Sequence, residues 1–126
     1  MTKETIREQA ITIAKLLSDK KGYDVQIIDV EAQTALFDYI IVATAESYIH
    51  LSALAHYAAD KLDEMNVRRK NKIESLHENP WILLDCGYMI VHLLNSEARE
   101  FYRLEKIWGE GEKIFDSSLS ESGVMS

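Results

Sequence analysis

One run of residues limits the choice of fold more than any other: Asp38-Tyr39-Ile40-Ile41-Val42-Ala43-Thr44. It is β-prone and apolar without alternation, so neither face of it can look at water. That predicts a central strand in a sheet covered on both sides, and therefore an α/β domain. The covers are legible in the flanking chain. Residues 3–18 carry Ile6, Ala10, Ile13, Ala14 and Leu17 at helical spacing, and Lys20-Lys21-Gly22 ends that helix. Leu51, Leu54, Ala55, Ala58, Leu62 and Met65 form a second apolar helical stripe, with Thr44 or Ser47 as its cap and Glu46 suited to its positive end.

Asp24 to Val30 alternates as a strand, with Val25 and Ile27 on one face. A short strand is expected near Lys72 to Leu76. After Pro80, the runs Trp81–Asp85 and Tyr88–Leu94 are split by Cys86-Gly87 and read as a hairpin. Asn95 or Ser96 then caps a last helix carrying Ala98, Phe101, Tyr102, Leu104 and Glu105, which runs toward Trp108 and stops near Gly109. The expected order is α-β-β-α-β-β-β-α, a mixed β-sheet with helices packed on its faces. Residues 1–111 read as one domain, and the Ser-rich, acidic stretch 112–126 as a disordered tail.

The chain has 126 residues, 21 acidic against 14 basic, a net charge of -7. That balance argues for little or no direct nucleic-acid binding, which needs a basic surface to neutralise phosphates. The densest basic stretch, Arg68-Arg69-Lys70 with Lys72, reads first as a solvated helix end and loop. An acidic chain suits a basic protein partner, because opposite fields steer the encounter. No apolar run approaches a membrane span, and the first turn, with Lys3, Glu4, Arg7 and Glu8, lacks the order of a secretory signal. The expected location is the cytoplasm.

A set of ordered blocks then resembles one family. They are Lys20-Lys21-Gly22-Tyr23-Asp24-Val25, Asp38–Thr44 with Ser47 and His50, Trp81-Ile82-Leu83-Leu84-Asp85 with Gly87, Val91-His92, and Arg99-Glu100-Phe101-Tyr102-Arg103-Leu104-Glu105-Lys106-Ile107-Trp108. Over about residues 5–109 the chain resembles the ribosomal silencing factors, whose plant relatives are the Iojap proteins. The resemblance implies a nucleotidyltransferase-like fold without catalytic apparatus. It also implies binding to the fourteenth protein of the large ribosomal subunit, which blocks joining of the small subunit and lowers translation when nutrients are short. Several members are dimers in isolation, so a homodimer is admitted too. No cofactor is implied. This chain departs from the family's habit at Ala45 (usually Gly), Cys86 (usually apolar or aromatic), Tyr88 (usually an acid) and Glu74-Ser75 (usually Glu-Gly).

The candidate partner-binding residues are Trp81, Asp85, Cys86, Tyr88, Leu104, Glu105 and Lys106. Trp81 is either core or an interface anchor, and the resemblance favours the anchor. Asp85 either meets a basic partner residue or organises its own turn. Asp85, Cys86 and Tyr88 are expected on one edge. Leu104, at i+3 from Phe101, also fits the core, whereas Glu105 and Lys106 suit a polar rim. Trp108 fits the core, a partner contact or a dimer seam. Histidines 50, 56, 77 and 92 show no metal-type spacing, and His92 reads as a hydrogen-bonded core residue. No motif sets a base beside Cys86 to make it a nucleophile.

A phosphate-handling enzyme of nucleotidyltransferase type is the alternative, because Thr44-Ala45-Glu46-Ser47 is a strand-turn-helix of the kind that holds triphosphates. It lacks a glycine there, and the paired strand carboxylates that would hold magnesium are missing from the sequence.

Overall fold

The computed structural model describes residues 2–71 and 80–118. Helix α1 (Lys3–Asp19) leads into strand β1 (Tyr23–Asp29), and β2 (Tyr39–Thr44) into α2 (Tyr48–Glu64). After the hairpin β3 (Trp81–Asp85) and β4 (Met89–Leu94) come two short helices, α3 (Ser96–Tyr102) and α4 (Leu104–Ile107), and strand β5 (Glu112–Asp116). The five strands form one mixed sheet in the order β3-β4-β2-β1-β5. The β2–β4 pair is parallel, Tyr39 opposite Met89 through Thr44 opposite Leu94, and the other pairs are antiparallel.

Local chemistry fixes the helix starts. The side chains of Thr2, Ser47 and Asn95 accept from the backbone N–H of Thr5, His50 and Ala98, answering donors that the first turn leaves unpaired. Ser47 and Asn95 are therefore the caps, rather than Thr44 and Ser96. Every residue of β2 is buried, as its unbroken apolar run requires. On one face of the sheet Ile27, Ile41, Ala43, Val91 and Leu93 pack with the stripes of α1 and α2 in the main core. On the other, Ile28, Ile40, Val42 and Leu94 meet Ala98 and Leu104, with Phe37, Trp81 and Trp108 packed alongside. The second cover is much smaller than the first, because α3 and α4 have 7 and 4 residues against 17 in α2.

Two expectations are corrected. The last helix is not continuous: Arg103 adopts a left-handed backbone (φ 47°), ending α3 with its N–H on the Arg99 carbonyl and starting α4 in a new direction. The disordered tail begins too early at residue 112, since Glu112–Asp116 pairs with β1 as the edge strand β5. Ile114 and Phe115 are both buried in the main core. Two successive residues go in because the β1–β5 register shifts between Ile27 and Ile28, a bulge-type irregularity that breaks the alternation a sequence reader looks for. Gly111 makes the approach possible: a Cβ there would lie 2.5 Å from Ile28 and 2.6 Å from the Asp29 carbonyl. Residues 119–126 and the strand expected near residues 72–76 lie outside the described residues.

A candidate docking surface on the hairpin

Strand β3 is at the sheet edge, and its side chains divide by alternation. Ile82 and Leu84 point into the main core, and Trp81, Leu83 and Asp85 lie on the opposite face. Cross-strand pairing sets Leu83 beside His92, and Trp81 beside Leu94. Leu83 remains 39% exposed, an aliphatic side chain on the less covered face of the sheet.

Aromatic rings continue this surface. The Trp81 indole N–H donates to His92 Nδ1 at 3.0 Å, and the two rings stand 5.6 Å apart. Burial holds the His92 pKa down to about 4, so the ring is neutral, and the indole bond places its remaining proton on Nε2. The other side of Trp81 meets Tyr102 at 4.5 Å between centroids, and Tyr102 meets Phe101 edge-on at 5.1 Å. Phe101 is 79% exposed. Leu83, Trp81, Tyr102 and Phe101 thus form an apolar surface anchored by a buried histidine at one end and open to solvent at the other.

The edge of β3 is closed where its face is open. Asn71 mimics a neighbouring strand: its side-chain amide donates to the Leu83 carbonyl (2.6 Å) and its oxygen accepts from the Asp85 N–H (2.9 Å). The Lys70 N–H adds a bond to the Asp85 carbonyl at 2.7 Å. Covering an edge this way removes a template for strand pairing and leaves side-chain contact as the mode of docking.

The expected contact residues separate. Trp81 is half-buried yet borders the surface, Tyr88 is exposed at the hairpin tip, and Lys106 is exposed on α4. Asp85 organises its turn, accepting from the Gly87 N–H at 3.0 Å, with Gly87 at φ 80° as the turn requires. Cys86 does not share an edge with Asp85 and Tyr88. It is buried in the main core, away from the exposed edge, and burial pushes its thiol up to about 12, which disfavours the thiolate. Leu104 is buried in the smaller core. Glu105 is half-buried and paired with the buried Arg99 at 3.3 Å, whose Nη1 also donates to Thr44 Oγ1 (2.8 Å) and the Asp24 carbonyl. That network fastens α3 and α4 to the ends of β1 and β2. Trp108 packs edge-on against Phe37 at 5.6 Å and closes the smaller core.

Sequence reasoning missed Leu83 and Phe101. The period-two alternation of β3 was a usable signal for Leu83. For Phe101 the spacing misled, because the break at Arg103 rotates Leu104 away from the face that Phe101 occupies.

At the turn after β2, the Glu46 carboxylate accepts from the hydroxyls of Tyr23 and Ser96, and these bonds hold its pKa below the usual range. A hollow of about 470 Å³ beside it is lined by Tyr23, Thr44, Ser96, Arg99, Arg103 and Lys106 among others. Among the described residues no group of three or more His, Cys, Asp or Glu side chains is arranged to hold a metal ion, and no helix is long and apolar enough to cross a membrane.

Residues 3–124 match the family model described as ribosomal silencing factor during starvation. The chain is 33% identical over 106 residues to ribosomal silencing factor RsfS of Zymomonas mobilis, covering 84% of this chain and 78% of that one. It is 31% identical over 111 residues to mitochondrial assembly of ribosomal large subunit protein 1 of Mus musculus, covering 86% of this chain and 48% of the longer mouse protein. A solved structure from Chromobacterium violaceum, 33% identical, superposes with a TM-score of 0.74 over 86% of this chain and 88% of that one. A match running from α1 past β5, with a solved relative of the same fold, makes this chain a member of the ribosomal silencing factor family.

Proposed function

We propose that this chain binds the large ribosomal subunit through the subunit's fourteenth protein and prevents the small subunit from joining, so that translation falls when nutrients are short. The observation that carries the proposal is the Leu83–Trp81–Tyr102–Phe101 surface, where half-buried Trp81 joins exposed Leu83 of β3 to the exposed rings of Tyr102 and Phe101 on α3. Trp81 has the character of an interface anchor: a large ring, its polar N–H already answered, held in one orientation by His92 and Tyr102. Tyr88 and Lys106 would stand at the rim. The names of the bacterial and mouse relatives support a large-subunit partner, and the net charge of -7 suits a basic ribosomal protein.

Inhibition of this kind is steric and requires no turnover or cofactor. A phosphate-handling role fits poorly, because the turn that would cradle a triphosphate presents the Glu46 carboxylate instead. A homodimer through the same apolar surface would compete with the ribosome.

The test is co-sedimentation with purified large subunits, comparing wild type with Trp81→Ala. Loss of a central Trp anchor costs about 2 kcal/mol or more, roughly 30-fold in affinity. Wild type that fails to sediment with large subunits at moderate salt would end the proposal. Equal binding by a folded Trp81→Ala variant would move the contact elsewhere.

A further inference from the structure

The segment leaving α2 alternates like a strand: Val67 is buried, Arg68 exposed, Arg69 half-buried, Lys70 exposed and Asn71 half-buried. Val67 belongs to the main core, and Asn71 is bonded to the β3 backbone through both ends of its amide. Arg69 lies near enough to Cys86 for its charge to act on the buried thiol. Arg68 and Lys70 are the exposed members of the alternation, two residues apart. Extended geometry separates them by about 6.6 Å, comparable to the step between successive phosphates along a nucleic-acid strand. Lys70 crosses the hairpin turn, its Cε 3.4 Å from where a Cβ on Gly87 would be.

Neither Arg68 nor Lys70 makes an ion pair among the described residues. Among the described acids nearby, Glu64 pairs with Lys61 and Asp85 bonds the Gly87 amide, while Asp63 lines a hollow together with Arg68 and Arg69. The main chain of the segment is pinned by its backbone bonds and by Asn71, which places Arg68 and Lys70 along the outer edge of the strand whose face carries Trp81 and Leu83. A basic protein partner has no use for them, since it would be repelled at this rim. A large ribosomal subunit also presents RNA, whose phosphates are the surface such cations would be drawn to beside a docked protein.

We infer that Arg68 and Lys70 form a phosphate-contacting rim, which grips the ribosomal RNA backbone beside the protein docked on the hairpin face. The inference rests on the docking proposal and extends it to a second class of contact. Two cations on a chain of net charge -7 do not make a free RNA-binding protein. They add a salt-sensitive hold once the apolar face has docked, and they fix the orientation in which it docks.

The full-length chain and its Arg68→Gln/Lys70→Gln variant would be titrated against purified large subunits across a potassium chloride series, and separately against the isolated fourteenth protein. Thermal melts first verify that both chains are folded; both positions are exposed. For large subunits the variant should bind roughly tenfold more weakly at low salt. Its log–log salt slope should be shallower by roughly 1 for each cation removed. For the isolated protein it should bind equally well or more tightly. Equal slopes on the subunit would overturn the phosphate rim while leaving the docking proposal intact. Equal weakening toward the isolated protein would also overturn it, by assigning the cations to partner carboxylates. Absence of wild-type binding to large subunits would overturn the docking proposal and the rim with it.

Discussion

Replacing Phe115 by alanine tests whether the chain beyond Gly111 is part of the fold. Phe115 is 2% exposed, sits opposite Ile27 in the β1–β5 ladder and belongs to the main core. Truncating a buried phenylalanine costs about 3–5 kcal/mol, the lost transfer energy plus a cavity that the neighbours fill only in part. A domain of this size has about 5–15 kcal/mol in all, so the variant should be folded but much closer to its limit. The melting midpoint should fall by on the order of 15 °C. The comparison is Lys113→Ala, in the same strand but with its side chain largely in solvent and paired with Asp116 at 3.4 Å. The Asp116 end of the pair is buried but keeps its bonds from the Ser118 amide and hydroxyl, so losing the lysine costs about 1 kcal/mol or less. Urea titration followed by circular dichroism reads both: the Phe115→Ala midpoint should drop with an unchanged slope, and the Lys113→Ala midpoint should barely move. If the two variants unfold together with wild type, β5 is not packed in solution and the packing argument fails.

Other outcomes follow from the same structure. Leu83→Asp should abolish large-subunit binding while moving the melting midpoint by only a few degrees, because Leu83 is already partly in water; a sedimentation assay paired with a melt reads both. His92 is pushed below its ordinary value by burial, to about 4. The unfolded chain therefore takes up the proton first, and stability falls as pH drops from about 6.5 toward 4, by roughly 2 kcal/mol at pH 5. His92→Asn, which keeps an acceptor for the Trp81 indole, should lose that part of the pH dependence; identical pH profiles in urea titrations would refute the assignment. Arg103→Gly should raise stability by about 0.5–1 kcal/mol by relieving a left-handed backbone on a residue with a Cβ, and a fall in the midpoint would show that the Arg103 side chain matters more than its φ.

The elements with a strong period were legible before any coordinates. The stripes of α1 and α2, the buried run of β2 and the Gly87 hairpin all appear where the apolar pattern and the turn residues put them. What the pattern did not reveal was non-local. Strand β5 looks like tail because only Ile114 and Phe115 are apolar, and its burial depends on β1 having an open edge and on Gly111 letting the chain approach. The exposure of the candidate contact residues was legible only in part. Trp81 and Tyr88 border or reach solvent, but Cys86 and Leu104 are core, since a turn residue and a helix residue can face either way until the neighbouring layers are known.

The break at Arg103 links these failures to the proposed docking. A single helix from Ser96 to Trp108 would have set Phe101, Leu104 and Trp108 on one stripe at i, i+3 and i+7, all turned to the sheet. With the left-handed residue in between, Leu104 and Trp108 pack inward from α4 while Phe101 is left outside on α3. Among the described residues, the sheet face beyond Trp81 then has no helix long enough to cover Leu83. An apolar surface exposed by such a device is better explained by a partner than by folding, because a continuous helix would bury more area without the backbone strain. The Arg99 network, bonded to Glu105 across the break, keeps the two short helices from rejoining. Arg99→Met should therefore loosen α4 and weaken large-subunit binding together. Hydrogen exchange of residues 104–108 and sedimentation should report the two losses in parallel. Faster exchange with unchanged binding would show that α4 does not shape the docking surface.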